Sequence, residues 1–564
     1  MKRIMKYISL LCAAALLAGT LSACGGSSGG GGGSADSGGS DGAASEAAES
    51  EKYTPGDYTL PIVSEPTEIT YMVRDVEEPG VTFMSGLSLA WNKFMEDTGI
   101  TIVFDVIPNE DYWTQMPIRL ASGTNLPDMV SVVGESDGST LVKYFDEGVL
   151  MDILPLINEY APNIKRYMEK NPEFKTSLTL PGGQIVCMSD AGESRFNSNQ
   201  SFIRQDWLDN LGLEAPGTMA ELQVVMKAFM EKDPNGNGQA DEVGIMGADY
   251  TTFRHLGVAY GLTMITGGGW GIKDGKVYSN WTADAYRQLL TDLHDMYVDG
   301  VVPLDFDRAA FDDKPEYAAR DGDRLGFVIR GWTLQLGQYH NPTDLFKTAV
   351  PHGVWVPVIW KETPWGKPLQ TREPLVALWR VLSVTTACKD PIATIRFIDY
   401  VFAGEGTDVN RLGLEGVTYN MVDGKIVRDP NFRDKLEPGV FSGHGYMPGL
   451  YPEEYPEMDV MVQEFGGDTP ENRATAQFVL DWYEKCLPQV QHVFVRPIPT
   501  AEDGTRLSEL SADYRTYRDE MYSRFIRGDL DIRNDSAWND YLGQMKALGD
   551  EEMREIFQRG VDGK

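Results

Sequence analysis

Between residues 69 and 133 three short β-rich runs alternate with two segments of helical periodicity, and that order leaves few ways to fold. Residues 69–73, 101–107 and 129–133 read as strands, and residues 87–95 and 112–121 as helices. A β-α-β-α-β order predicts a parallel sheet with helical crossovers, hence an α/β fold. In open sheets of this type ligands sit beyond the carboxyl ends of the strands. The loop after the third strand, residues 134–138, therefore offers Glu135 and Asp137 as candidate ligand contacts, although a solvated acidic turn would read the same way.

At 564 residues the chain is too long for one core and is expected to divide into at least two domains. Hydrophobic residues make up 42 % of it, enough for globular interiors, while the net charge of −34 argues against a nucleic-acid partner, whose phosphates need Lys and Arg. The amino terminus reads as an address. Lys2, Arg3 and Lys6 precede an apolar run over residues 8–17 that is too short to span a bilayer. Leu21-Ser22-Ala23-Cys24-Gly25 then reads as a lipobox, with Cys24 the lipidated first residue of the mature chain and palmitate among its acyl groups; a plain signal peptide is the alternative. From Gly25 to about Glu51 the composition is Gly, Ser, Ala, Asp and Glu, which cannot bury enough apolar surface to offset its ordering entropy and so reads as a tether. Cys187, Cys388 and Cys486 remain, an odd number without close spacing, so no disulfide framework is evident.

Further along, Thr218 with Glu221 three residues on forms a capping box for a helix whose apolar stripe is Leu222, Val225, Met226, Phe229 and Met230. That helix runs into Asp233-Pro-Asn235-Gly-Asn237-Gly-Gln239-Ala-Asp241-Glu242. The run has alternating oxygen side chains, with glycines for the tight turns and the Gln239 carbonyl as a further ligand, as a calcium ion requires. The spacing departs from an EF-hand at the twelfth position, Gly244, and the extra carboxylate comes early, at Glu242. An Asx-rich solvated turn is the alternative. A metal held so fully by protein oxygens is structural rather than catalytic. Helices are also expected from Thr282, with Tyr286, Leu289, Leu290, Leu293 and Tyr297 inward, from Asp390-Pro391, with Pro at the first helical position, and over much of residues 507–557.

The run FIRQDWLDNLGLEAPGTMAEL followed by KDPNGNGQADEVGI resembles the extracellular solute-binding proteins of ABC importers, in particular the large lipoprotein subgroup associated with oligosaccharide uptake. The resemblance extends through LASGTNLPDMV, YFDEGVLMDILPLINEYAPNIK, YVDGVVPLDF and ACKDPIATIRFIDYVF. It implies a two-lobe periplasmic-binding-protein-like fold, each lobe a mostly parallel sheet flanked by helices with a hinge between. By it, the signal occupies 1–23, the lipidated Cys and tether 24–57, one lobe 58–180 plus 382–418, and the other 181–381 plus 419–564. It further implies a monomer, anchored by lipid to the extracellular face of the cell membrane, that hands a carbohydrate to the transmembrane subunits of an ABC permease.

A sugar-binding cleft needs flat aromatic surfaces beside hydrogen-bonding groups, and the chain has twelve Trp. Arg330-Gly331-Trp332 ends a strand-like run and resembles the family position where a Trp faces the cleft; core packing is the alternative. Trp270 lies in a glycine run, where a core role is less natural, and Trp355, Trp360 and Trp365 cluster in a Pro-rich stretch, Trp355 being the ligand candidate there. Trp207 reads as structural, and Arg195, Asn199, His444 and Tyr446 are weaker candidates. No P-loop and no H-E-x-x-H spacing is present, so neither nucleotide handling nor zinc catalysis is indicated. Two other classes share these features: a secreted glycan-cleaving enzyme, which needs two carboxylates about 5 Å or about 7–9 Å apart, and a surface sensor with the same fold.

Overall fold

The computed structural model describes residues 53–563. It leaves aside 77–80, 134–137, 191–198, 247–251, 263–268, 308–313, 343–344, 373–379, 423–424, 430–431, 444–446, 450–457, 459–460, 463–464, 466–468, 487, 489 and 493–496. Cys24 and the tether thus lie outside the described residues, as do Glu135, Asp137, Arg195, His444 and Tyr446.

The strands that position the candidate site begin with β1 (Thr67–Arg74), β2 (Ile100–Ile107), β3 (Met129–Val133) and β4 (Cys187–Met188). They continue with β5 (Asn199–Arg204), β6 (Trp270–Lys273), β7 (Lys276–Ser279), β8 (Phe327–Trp332), β9 (Trp355–Pro357), β10 (Gln370–Arg372) and β11 (Arg380–Val384). The first sheet has the order β2-β1-β3-β11-β4. β1 is parallel to β2 and to β3, as the alternation of strands and helices predicts, and the connecting helices are Leu89–Thr98 and Asn109–Ser122. β11 returns from much later in the chain and inserts antiparallel between β3 and β4. β1 and β2 pair from Thr67↔Ile100 to Arg74↔Ile107, so their carboxyl ends are flush.

The second sheet is β8-β5-β9. Here the expectation of parallel strands needs one correction: β5 runs antiparallel to both neighbours. Antiparallel neighbours need no helical crossover of fixed hand, so a strand entering directly can be accepted this way. The rest is parallel, since β8 and β9 share one direction and the residues beyond the acidic loop extend β8's edge through the parallel bridges Val243↔Leu325 and Met246↔Val328.

Buried apolar residues gather into separate cores. The first takes Tyr53–Met188 and Val381–Phe402, with Phe441, Met447 and Ile498. A boundary at 180 therefore falls short of β4, which pairs with β11 in the first sheet. The others take residues from Phe202 to Trp360 and from Met461 to Phe557, with Phe478 and Trp482 packed against both. Helix Met219–Glu231 starts close to its capping box: Thr218 Oγ1 accepts the Glu221 N–H at 3.2 Å, while the Glu221 carboxylate accepts the N–H of Gly217, one residue before the cap, at 2.7 Å. Helix Pro391–Ala403 has Asp390 as its cap, bonded to the Ala393 N–H at 2.9 Å, and Pro391 at its first position. The chain ends in helices Ala501–Arg527, Asp535–Ala547 and Asp550–Val561.

Candidate functional site

Three chain segments leave the first sheet at the carboxyl ends of its parallel strands. After β1 the chain turns at Asp75, whose N–H donates to the Ile107 carbonyl at 3.0 Å, tying the exits of β1 and β2 together. The Asp75 carboxylate then organises its own loop, accepting the Val76 N–H at 2.9 Å, the Phe83 N–H at 3.2 Å and the Thr82 hydroxyl at 2.8 Å. The β2 exit leads through Pro108 into helix Asn109–Ser122. Beyond β3 lies the stretch with Glu135 and Asp137, outside the described residues, and then helix Ser139–Asp146.

In the second sheet Arg330 and Trp332 occupy the end of β8, with Trp332 opposite Asn199 at the start of β5. Two other aromatic candidates are corrected by burial. Trp270 is only 4 % exposed and packs at 5.1 Å from the Phe557 ring, so it is a core residue rather than an open stacking face. The glycine run that suggests a mobile loop ends in the tight hairpin β6–β7, covered by the last helix. Trp355 is likewise 4 % exposed, held between Tyr339 at 5.1 Å and the Arg204 guanidinium at 5.8 Å. Trp207 and Trp360 are buried as well, the former in line with its structural reading. Trp365 stays open, and so does Trp113, which sequence reasoning passes over as one more helical position. The available signal was its offset from the inward stripe of Tyr112, Met116 and Leu120.

The acidic loop closes on itself. Asp233 has a left-handed φ of 46° and accepts the N–H groups of Asn237 at 3.0 Å and Gly238 at 2.9 Å. Asn235 Oδ1 accepts the Asn237 N–H at 2.9 Å, and Asn237 Oδ1 accepts the Gln239 N–H at 2.7 Å. Asn237 donates its amide to Asp241 at 3.2 Å. Among the described residues no three Asp, Glu, His or Cys side chains converge closely enough to hold a metal by themselves, so a cation here must also draw on the amide and backbone oxygens. Glu242 is the informative member. It is buried, and neither carboxylate oxygen has a hydrogen-bond partner of good geometry. Burial pushes its carboxyl above the ordinary range, backbone N–H groups of the loop moderate this, and Asp233 and Asp241 add to the rise. A buried carboxylate with no cationic partner, near two more carboxylates, has the chemistry of a hard-cation ligand.

The sheets and their separate cores make this an α/β protein, and its acidic loop gathers oxygens suited to a hard cation. The chain matches the bacterial extracellular solute-binding protein family over residues 78–310. It is 25 % identical over 500 residues to the fructooligosaccharide ABC transporter substrate-binding protein FusA of Streptococcus pneumoniae serotype 4, covering 84 % of this chain and 86 % of that one. Among solved structures it resembles the alginate-binding protein AlgQ2 without calcium ion, at 23 % identity and a TM-score of 0.64 over 89 % of this chain and 99 % of the other. It also resembles an EF-hand mutant of S. pneumoniae FusA in complex with fructo-nystose, at 20 % identity and a TM-score of 0.63 over 88 % and 99 %. These likenesses show an α/β fold like that of periplasmic binding proteins. Among the described residues no helix is long and apolar enough to cross a membrane.

Proposed function

We propose that this protein is the lipid-anchored receptor of an ABC importer, capturing an oligosaccharide between its lobes and delivering it unaltered to the permease. The observation that carries this is the likeness to FusA along nearly the whole of both chains, a protein named for fructooligosaccharides. The lobes close by a hinge, and a ligand that bridges both stabilises the closed form. Glu135, Asp137, Arg330 and Trp332 supply the contacts, the last by stacking its indole on the C–H face of a sugar ring. Cys24 carries the lipid. The loop of Asp233, Asn235, Asn237, Gln239, Asp241 and Glu242 holds a structural calcium ion; the orphaned Glu242 carboxylate supports that fit.

The test is calorimetric titration of the mature protein with fructo-nystose, an oligogalacturonate and a mannan oligosaccharide. At least one is expected to bind, with no new reducing ends in the mixture. Trp332→Ala should weaken that binding by more than about tenfold without a change in melting temperature. Silence from all three sugars, or their cleavage, overturns the reading.

A further inference from the structure

We infer that Trp113 is the sugar-stacking platform of the first lobe, with Asn109 one turn before it as its hydrogen-bonding neighbour. This rests on the carbohydrate-binding reading above and assigns a part of that site which neither motif nor family position indicates.

The placement comes first. β1 and β2 end flush, and the Asp75 N–H donating to Ile107 fixes the two exits side by side at the carboxyl edge of the parallel strands. Helix Asn109–Ser122 starts two residues after β2, so Trp113 lies in the first turns of the helix that leaves this edge. The neighbouring exit, that of β1, leads into a loop that carries Met84, 77 % exposed, and Leu87, 41 % exposed.

Exposure comes second. Seven indoles of this protein (Trp91, Trp207, Trp270, Trp281, Trp355, Trp360 and Trp538) are buried, whereas Trp113 keeps 48 % of its surface open. Its ring packs on no other aromatic ring and on no cation among the described residues. Tyr112, Met116 and Leu120 already supply this helix's buried stripe, so core packing gives no reason for an indole at 113.

The polar surroundings come third. Asn109 and Trp113 are four residues apart and share one side of the helix. The Asn109 Oδ1 is buried in this conformation and has no hydrogen-bond partner. A buried amide oxygen without a donor carries a desolvation cost that a ligand hydroxyl removes once the side chain turns outward. Glu110 and Asp111 are exposed in the same turn. An open indole face, an amide in need of a donor and carboxylates at the rim match a ring with one C–H face and a border of hydroxyls. A docking site for an acidic or basic protein surface would not need the unpaired amide.

Fructo-nystose, an oligogalacturonate and a mannan oligosaccharide serve as probes, titrated into the mature wild-type protein and into Trp113→Ala, Trp113→Phe and Trp365→Ala. Trp365 is 47 % exposed and lies on a turn outside the first core, so it controls for the loss of an open indole. With whichever probe binds, Trp113→Ala is expected to raise Kd about tenfold or more, and Trp113→Phe by less than about threefold. The ligand-induced change in tryptophan emission should persist in full in Trp365→Ala and shrink in Trp113→Ala, where Trp332 alone remains to report stacking. All variants should melt with the wild type. Wild-type binding that survives Trp113→Ala within about twofold overturns the assignment. So does unchanged affinity combined with lost uptake in cells, which would make Trp113 a permease contact. A wild type that binds none of the probes brings down the carbohydrate reading itself, and this inference with it.

Discussion

Asn235 donates its side-chain amide to the backbone carbonyl of Asp323 at 2.8 Å, which fastens the acidic loop to the turn leading into β8. The same bond decides which way the amide faces. With Nδ2 committed to Asp323, Oδ1 is left toward the loop, where it accepts the Asn237 N–H. Two further connections run alongside: the Val243 N–H donates to Arg324 at 2.9 Å, and Val243 bridges to Leu325. The acidic loop is thus joined to the strand that ends at Trp332 by one side-chain bond and a short stretch of backbone pairing.

Calcium is expected to stabilise the protein, and Glu242 is the residue that should report it. At roughly 100 times its dissociation constant, calcium adds about 2.7 kcal/mol by mass action. A chelator should therefore lower the melting temperature. Without metal, Glu242→Gln removes a buried charge that has no partner, so the variant should melt at or above the wild type. Adding calcium should then raise the wild type and leave the variant nearly unmoved. Identical wild-type melting curves with calcium and with chelator rule the loop out as a metal site.

Arg204 is expected to be the costliest single polar truncation near this loop. Its side chain is fully buried, forked onto Asp206 at 2.6 Å and bonded to Asp323 at 2.5 Å. Its face lies 4.7 Å from the Trp207 ring. Burial pushes the Asp206 carboxyl up, but the Arg204 bonds outweigh this and hold it below its ordinary value. Arg204→Met strands two carboxylates beside a core, and removing one partner of a buried pair costs about 3–5 kcal/mol. Arg204→Lys should recover only part of this, because an ammonium cannot make the fork. The urea midpoint is the measurement, and a shift worth less than about 1 kcal/mol for Arg204→Met contradicts the account.

The first sheet could be read from the sequence because each strand and helix there has local causes. Runs such as Ile69–Val73 and Met129–Val133 are bounded by turns, and the intervening helix repeats its apolar stripe at Tyr112, Met116 and Leu120. The insertion of β11 beside β3 depends on a strand some 250 residues later, and no local pattern records that. Burial of the aromatic residues was illegible for the same reason. Trp270 is covered by Phe557, and Val277 donates to Gln558, 281 residues away, so the fate of that glycine run is settled by the far end of the chain. The acidic loop was legible because oxygen spacing is a local property. The orphaning of Glu242 was not, since it needs the packing around it.

Asp399 should give the first lobe a stability that falls as pH rises. Its carboxylate lies in helix Pro391–Ala403 and accepts the Tyr58 hydroxyl at 3.0 Å, the Asn163 amide at 2.7 Å and the Ile164 N–H at 2.7 Å. It thereby pins the first described segment of the chain, where Tyr53 also bonds Asp390 at 2.8 Å. Burial pushes Asp399 up to about 6, against the pull of those three donors. The folded-state value thus lies above the unfolded value of about 3.9, so folding favours the protonated form. The contribution is fully present below about pH 4 and lost by the time pH has risen through about 6, amounting to roughly 3 kcal/mol at 1.36 kcal/mol per unit. Asp399→Asn keeps an acceptor oxygen but cannot ionise, so the wild type should lose stability relative to the variant between about pH 4 and pH 6.5, with hydrogen exchange of residues 53–58 quickening over the same range. Urea titrations of both proteins across that interval measure the difference directly. Parallel stability profiles would mean that the three donors hold the carboxylate ionised throughout.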